Sequence, residues 1–588
     1  MKNRISMLWL SSRKRIARNS GVAALILLSL LSARPTVAAD ALLPMQVLSL
    51  DSQISQIERN EGPAAELGIF IGSEPNELRL RKVSLRIDDH EPTIYEYGEA
   101  EWNAIATGGL HPALLAPLEP GTHRLRLELF ARTLDAGPTD PRAVERLDQA
   151  IEIPAGQTLM EITMAQQRFG KSSLGVRQVN GADGSGMWQR AARFWLDADR
   201  PYAAARLLTR LQSRGYGSQD GGGLLSESLA RLSGQGVSTS IPAASLASFN
   251  AAVGGSGDGQ NLVALEAIGQ QKAKTPADWT MRDHANLLLG YAYLRGGNGP
   301  SAIDAFSRVR SPGPYGNAAL LGFGWSFLVP ESGAPTGTRP MSPAFDGRPV
   351  FITAIERRVI NKGPDKDRKK ALERALVPWT ELIGRDPLDI DAQEGALALA
   401  WALDQLGTGA QAHTYYERAA KQLELARAQL EEAMAHVGSG RAANAVATGQ
   451  NDDSSGWRVW LADLPYADDT GYLKYLLADD GFVAVLDQYR SARLLSDELA
   501  RCEKRLEAVP ASEALSSAVQ AAMVRAQASE KVSRMAFERR ALDLLRARRL
   551  QTERYLVEAR FAIARHYDSA PPPETELKRG SSSNGDPS

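Results

Sequence analysis

Hydrophobic and polar residues alternate along two stretches in the first third of the chain, at residues 81–89 and 123–131. A period of two is typical of β-strands with one buried face. Short turns containing Pro and Gly precede the second stretch and a third apolar one, and residues 98–109 have the pattern of a short helix that ends at glycines. The pattern predicts a small β-sandwich-like module over residues 40–170.

Two segments of this module, VSLRIDDHEP (83–92) and LAPLEPGTHRLRLEL (115–129), resemble small periplasmic sandwich modules of the PEGA type. The resemblance covers fewer than fifty residues. It implies a binding or spacer domain of a cell-envelope protein, without catalysis.

A period near 3.6 replaces the period of two from about residue 185 onwards, and this indicates helices. One unit, residues 283–316, has small, aromatic and proline residues at fixed offsets: Leu289, Gly290, Tyr293, Ala302, Phe306 and Pro314. Small residues let two antiparallel helices approach, aromatic residues fill the groove between them, and proline ends the second helix. The unit resembles the tetratricopeptide (TPR) repeat family, whose period is about 34 residues.

Weaker copies surround this unit, so that the resemblance covers about residues 185–426 of a helical region that we place at 185–437. Their packing positions are Trp188, Trp195, Ala204, Gly324, Ala375, Trp379, Pro387, Ala412 and Tyr416. The resemblance implies a right-handed superhelix with a groove for extended peptides or partner helices. The predicted fold class is therefore mainly α, a TPR-like solenoid after a small β domain.

Two segments depart from the repeat. The copy that begins near residue 315 has its second helix about 39 residues late, because the alanine expected at 336 is found at Ala375. The insertion, about 330–368, is either a surface loop or a loop that contacts a partner. Residues 221–244 are either a broken repeat or a loop with one helix.

The C-terminal part is rich in Ala, Leu, Arg and Glu and predicts long helices over 457–568, after a linker at 438–456. We expect two helices joined at 509–513 to form an antiparallel pair with coiled-coil packing. Residues 569–588 have the composition of a disordered tail.

The N-terminus has the three parts of a bacterial signal peptide: basic residues, an apolar run at 21–33, and small residues before a cleavage site after Ala39. We expect residues 1–39 to direct the chain to the periplasm. The alternative is an uncleaved inner-membrane anchor facing the periplasm, which would be the chain's only membrane contact.

Composition and charge narrow the function. The net charge of −1 gives no reason to expect a nucleic-acid partner, and the single Cys502 excludes an intrachain disulfide. Cys502 is either a thiol on a charged helix with no special role or forms an intermolecular disulfide. The four residues DDHE (88–91) carry metal-ligand atoms, but neighbours in a strand or turn point to different faces, so we expect no metal there.

The seven His are scattered and the sequence lacks HExxH, GxSxG and GK[ST] motifs. We therefore expect no catalytic residues and no cofactor. The leading hypothesis is a non-enzymatic periplasmic scaffold that binds proteins in an envelope assembly or export system. One alternative is a glycan-binding or glycan-processing envelope protein that uses the β module or the repeat groove. Another is a structural coiled-coil oligomer organised by residues 490–568.

Overall fold

The computed structural model of the chain is mainly helical, with a small sheet region near the N-terminus, as predicted. It describes residues 42–61, 65–74, 78–133, 143–166, 172–180, 184–213, 219–233, 249, 260–273, 276–329, 365–448, 471–509 and 513–569. The signal segment, most of the insertion, the second part of the linker (449–456) and nearly all of the C-terminal tail lie outside the described residues.

The chain divides into two compact units that each combine distant parts of the sequence. The first contains the described residues up to 233 together with 443–448 and 477–540, and the second contains those from 249 to 442 together with 471–476 and 541–569. The predicted C-terminal region 457–568 is therefore shared between the two units.

In the described part of the first unit, eight strands form two four-stranded sheets. The strands are β1 (Ala65–Ser73), β2 (Leu78–Ile87), β3 (Thr93–Glu96), β4 (His111–Leu118), β5 (Gly121–Thr133), β6 (Ala143–Ile153), β7 (Gly156–Gln166) and β8 (Ser172–Asn180). The orders are β4-β1-β7-β8 and β3-β2-β5-β6. The pair β1–β7 is parallel, and the other neighbouring strands are antiparallel.

The two sheets share one hydrophobic core. Leu85 of β2 lies opposite Leu127 of β5, and both are buried with Ile69 of β1 and Ile162 of β7. Because side chains alternate between the faces of a strand, the predicted period of two in β2 and β5 is satisfied by burying the face of their sheet that lies on this core. The two strands predicted from the alternating pattern are confirmed.

The described residues form α-helices along most of the chain. These helices are α1 (Leu43–Glu61), α2 (Glu99–Ala106), α3 (Ser185–Asp197), α4 (Pro201–Ser213), α5 (Gln219–Leu232), α6 (Gln260–Gly269), α7 (Pro276–Arg295), α8 (Gly299–Ser307), α9 (Gly316–Ser326), α10 (Asp365–Leu382), α11 (Ile390–Gln405), α12 (Gly409–Gly438), α13 (Arg441–Thr448), α14 (Asp480–Leu506) and α15 (Glu513–Ser569). A 3-10 helix covers Gly471–Leu476.

Three of these helices lie in segments for which the sequence predicted another structure or left alternatives open. Helix α1 lies inside the segment expected to be rich in strands, and α13 occupies part of the predicted linker at 438–456. Helix α5 lies at the start of the segment 221–244, which the repeat pattern left open.

Helices α14 and α15 form the predicted antiparallel pair within the first unit. Asp479, which caps the start of α14, binds Arg540 at 2.9 Å, and Arg493 near the middle of α14 binds Glu530 at 3.0 Å. The residue numbers of the contacts rise along α14 while they fall along α15, so the two helices are antiparallel. Leu499 of α14 is buried in the same cluster as Val47 of α1, so α1 packs on this pair.

Candidate interaction surface

In the second unit, described helices stack in a regular order. Helix α8 packs against both α7 and α9, α10 packs against both α9 and α11, and α12 packs against α11. The first helices of successive pairs also contact one another, α7 with α9 and α9 with α11. The unit is therefore a row of three helical pairs with one repeated relationship between neighbours.

Phe306 shows why small residues recur along this row. A Cβ atom on Gly290 of α7 would lie 2.5 Å from the Phe306 ring, and a Cβ on Gly322 of α9 would lie 2.4 Å from it. The ring, 3% exposed, is therefore held between two first helices at positions where only glycine leaves room. The repeat pattern in the sequence identifies Gly290 and Phe306 but not Gly322.

Trp379 occupies the corresponding place in the next pair. Its ring lies against Gly324 of α9, where a Cβ would be 2.2 Å from Nε1. Its indole N–H donates to the carbonyl oxygen of Leu321 at 3.2 Å. The contact joins α9 to α10 across the insertion.

Most predicted packing residues are buried in the structure. They are Trp188, Ala204, Leu289, Gly290, Ala302, Phe306, Gly324, Ala375, Trp379, Ala412 and Tyr416. Trp195, Tyr293 and Pro387 are partly buried, and Pro314 is exposed in the turn before α9.

Tyr291, two residues before the predicted Tyr293, is the more deeply buried of the two. Its hydroxyl donates to the carbonyl oxygen of Ala318 in the next first helix at 2.7 Å, and its ring packs edge-on against Phe306 at 5.0 Å. The spacing of the repeat selects Tyr293, so the repeat pattern alone does not identify Tyr291.

The pair α3–α4, expected to begin the repeats, instead belongs to the first unit and packs against the sheet region. Trp188 of α3 contacts Phe70 of β1 edge-on at 5.2 Å, and Trp195 contacts His111 of β4 at 5.7 Å. Its apolar face is helical in period as predicted, but a sheet covers it. The assignment of this pair to a continuous row from residue 185 is therefore wrong.

The end of α15 lies against the last pair of the row. Thr552 and Tyr555 bond to Gln393 and Glu394 of α11 at 3.1 and 2.7 Å, and His566 approaches Asp404 at 3.4 Å. Residue numbers rise together along both helices, so this segment runs parallel to α11.

The same segment runs antiparallel to α12. Arg549 reaches Glu431 at 3.5 Å, whereas Arg560, further along α15, reaches Glu424 at 2.7 Å. A first helix in the row contacts both the first and the second helix of the preceding pair. Residues 541–569 thus occupy the place of a fourth first helix.

The partly exposed start of α7 carries aromatic and basic side chains. The guanidinium groups of Arg282 and Arg310 lie 4.5 and 4.9 Å from the centre of the Trp279 ring. His284 stacks on Tyr315 with ring centres 4.6 Å apart, and burial lowers the pKa of His284 to about 4. Arg310 also binds the buried Asp283 at 2.7 Å, so this end of the row has an aromatic surface to which Arg282 adds positive charge.

Asp88, the first of the candidate metal ligands at 88–91, has a structural role. Asp88 has a φ of 51°, accepts the backbone N–H of Arg124 at 2.7 Å and pairs with His123 at 2.7 Å. These bonds lower the pKa of the Asp88 carboxyl, and its hydrogen bond raises that of His123. Asp88 thereby fixes the turn after β2. In the described ranges, no group of three or more His, Cys, Asp or Glu residues is arranged to hold a metal ion.

His111 is the most deeply buried histidine described. Its Nδ1 lies 2.8 Å from the Tyr97 hydroxyl, and burial together with the charge of Arg200 lowers its pKa to about 3. A neutral imidazole inside an aromatic cluster stabilises the packing of α3 on the sheet.

Among the described helices, none combines the length and apolar character that a membrane span requires. Comparisons with known protein families, curated proteins and solved structures found no match to this chain.

Proposed function

We propose that this chain is a non-enzymatic scaffold that binds other proteins in a bacterial cell envelope through a TPR-like row of helical pairs. The observation that carries the proposal is the repeated relationship in the second unit, where the second helices α8 and α10 each pack between two first helices. The glycine–aromatic contacts of Phe306 and Trp379 recur at matching places in two successive pairs. Stacked pairs of this kind present extended surfaces to partners.

Export to the periplasm is part of the proposal. It is supported by the basic, apolar and small-residue order of residues 1–39. An uncleaved anchor in the inner membrane would place the same helical row on the same side. N-terminal sequencing of the protein recovered from the periplasm distinguishes the two, because cleavage leaves Asp40 as the first residue.

The surface that we assign to partner binding is the start of α7. Trp279 is partly exposed between two arginines, and Trp and Arg are the residues most often found at the energetic centre of protein interfaces. A carboxylate-rich segment of a partner, extended or helical, would find the Arg282 cation and an aromatic ring there, beside Arg310, which pairs with Asp283.

The test is a pull-down from envelope extract with the purified protein as bait. The parent protein should enrich the same few envelope proteins in repeated experiments, and Trp279→Ala should lose them. Val263→Ala, a change at an exposed residue of α6, is the matched control and should retain them. Equal recovery with Trp279→Ala would show that the start of α7 is not part of the interface. Recovery of no protein above background by the parent would contradict the scaffold function.

A further inference from the structure

The outward face of the last part of α15 is apolar in a regular pattern. Leu550, Val557 and Phe561 are 51%, 49% and 64% exposed. They are seven and four residues apart, which places them on one side of a helix, as in the contact seam of a coiled coil. The opposite side, with Tyr555 and Ala559, is buried.

The position of this segment in the row explains why its outer face matters. Helices α7, α9 and α11 are each covered by the second helix of their own pair. Residues 541–569 take the place of a first helix, but among the described residues no second helix covers their outer face. Within the part of the chain that the structure describes, the row therefore ends on a helix with an exposed apolar seam.

We propose that a second copy of this chain covers the seam, with the two α15 segments crossing antiparallel about a two-fold axis near residue 556. The charged residues beside the seam are the reason for choosing a second copy as the binding partner. In a two-fold antiparallel pair, residues equally distant from the axis face each other.

Three pairs of residues, one apolar and two of opposite charge, are centred within one residue of that axis. Leu550 and Phe561 are centred at 555.5, and both are apolar. Glu553 and Arg560 are centred at 556.5 and carry opposite charges.

The third pair, Arg554 and Glu558, is centred at 556 and also carries opposite charges. Both side chains are exposed, and they flank the seam on the side away from Glu553 and Arg560. Each pair occurs twice across a two-fold axis, so four ion pairs flank the apolar centre of the antiparallel dimer. Two of them involve Arg560 and Glu553, which within one chain also contact Glu424 and Arg549. Complementary charge of this kind sets orientation and register in helical pairing.

Three large apolar residues from each copy cover less than the roughly 800 Å² per partner of a standard stable interface. We therefore expect a dimer with a dissociation constant in the micromolar range. The pairing concerns the chain itself and does not depend on the identity of any envelope partner.

Sedimentation of the purified protein across a concentration series tests the proposal, with circular dichroism to check folding. The parent should change from monomer to dimer as concentration rises, and Phe561→Asp should weaken the dimer by about tenfold or more. Met535→Asp changes an exposed apolar residue of the same helix outside the segment, 52% exposed, and should leave the dimer unchanged. A parent that stays monomeric at all concentrations, or a Met535→Asp variant as weak as Phe561→Asp, would overturn the proposal.

Charge reversal tests the register. Glu553→Arg and Arg560→Glu should each weaken the dimer, by about fivefold, because each places like charges together twice. The variant carrying both changes restores unlike pairs and should return to within about twofold of the parent. Failure of the double variant to recover would overturn the antiparallel arrangement about residue 556.

Discussion

Trp379 of α10 donates its indole N–H to the carbonyl oxygen of Leu321 in α9 at 3.2 Å, and its ring lies against Gly324. The two helices belong to one pair, although residues 330–364 separate them in the sequence. Interior contacts, and not a short loop, hold this pair together, which is how the row accommodates a long insertion between its members.

Gly324→Ala should destabilise the second unit by about 1–3 kcal/mol, because the added Cβ would lie 2.2 Å from Nε1 of the buried Trp379 ring. The gain in helix propensity from glycine to alanine, about 1 kcal/mol, opposes this loss only in part. Thermal and urea unfolding of the parent and variant measure the difference.

Gly438→Ala is the matched control, since a Cβ at Gly438, the last residue of α12, has no atom within 4 Å. It should leave stability unchanged or raise it slightly. A Gly324→Ala variant as stable as Gly438→Ala would show that the row does not need glycine beside Trp379.

Tyr555→Phe should loosen the last part of α15 from α11. The Tyr555 hydroxyl donates to Glu394 at 2.7 Å, and both residues are buried, 0% and 3% exposed. Burial beside Glu394 raises the pKa of Tyr555, so the hydroxyl keeps its proton and donates at all ordinary pH values. Its loss removes a donor from a buried carboxylate, at a cost of about 1–3 kcal/mol.

Hydrogen exchange over residues 541–569 measures this loosening and should become faster in Tyr555→Phe. Tyr567→Phe removes the same hydroxyl from a side chain that is 65% exposed, and exchange should not change. Equal protection in both variants would mean that the Glu394 contact does not hold the segment.

Periodicity predicts which face of an element is buried, but it does not say what covers that face. The offsets around Gly290 and Phe306 predicted a close helix contact, and the structure has it. The same offsets selected Trp188, whose buried ring packs against Phe70 of a strand instead of a neighbouring repeat. A helical apolar stripe is satisfied equally by a helix or by a sheet.

Contacts between residues distant in the sequence were the least predictable feature of the fold. The end of α15 completes the row beside α11 through Thr552 and Tyr555, which are about 160 residues distant in sequence from the side chains that they contact. Glu394 and Gln393 are polar residues on the apolar face of α11, and buried polar residues need partners. That requirement was the one sequence signal for an additional helix there, and it does not identify which helix.

His284 should make stability depend on pH. Burial lowers its pKa in the folded protein to about 4, whereas an unfolded histidine has a pKa near 6.5. Between these values the unfolded state binds more protons, so the folded protein loses stability as pH falls from about 6.5 to about 4, by at most about 1.4 kcal/mol per pH unit.

The measurement compares unfolding of the parent and of His284→Phe over this pH range. Phenylalanine can replace the stacking on Tyr315 and Phe249 but does not titrate. The stability of the parent relative to the variant should therefore decrease as the pH is lowered and level off below about pH 4. A difference independent of pH would mean that His284 does not titrate differently in the two states.

The Cys502 thiol should react only when the first unit unfolds. Its side chain is 1% exposed in the cluster between α14 and α1, and burial raises its pKa to about 11. Thiolate is the reactive form, so a buried thiol with a raised pKa is both inaccessible and weakly ionised at neutral pH.

We expect labelling of Cys502 by a thiol-specific reagent to be at least about a hundredfold slower in the native protein than in urea. A non-reducing gel should show a single-chain band. Rapid labelling of the native protein, or a covalent dimer that reductant dissolves, would support the intermolecular disulfide instead and would contradict the packing of α1 over this side chain.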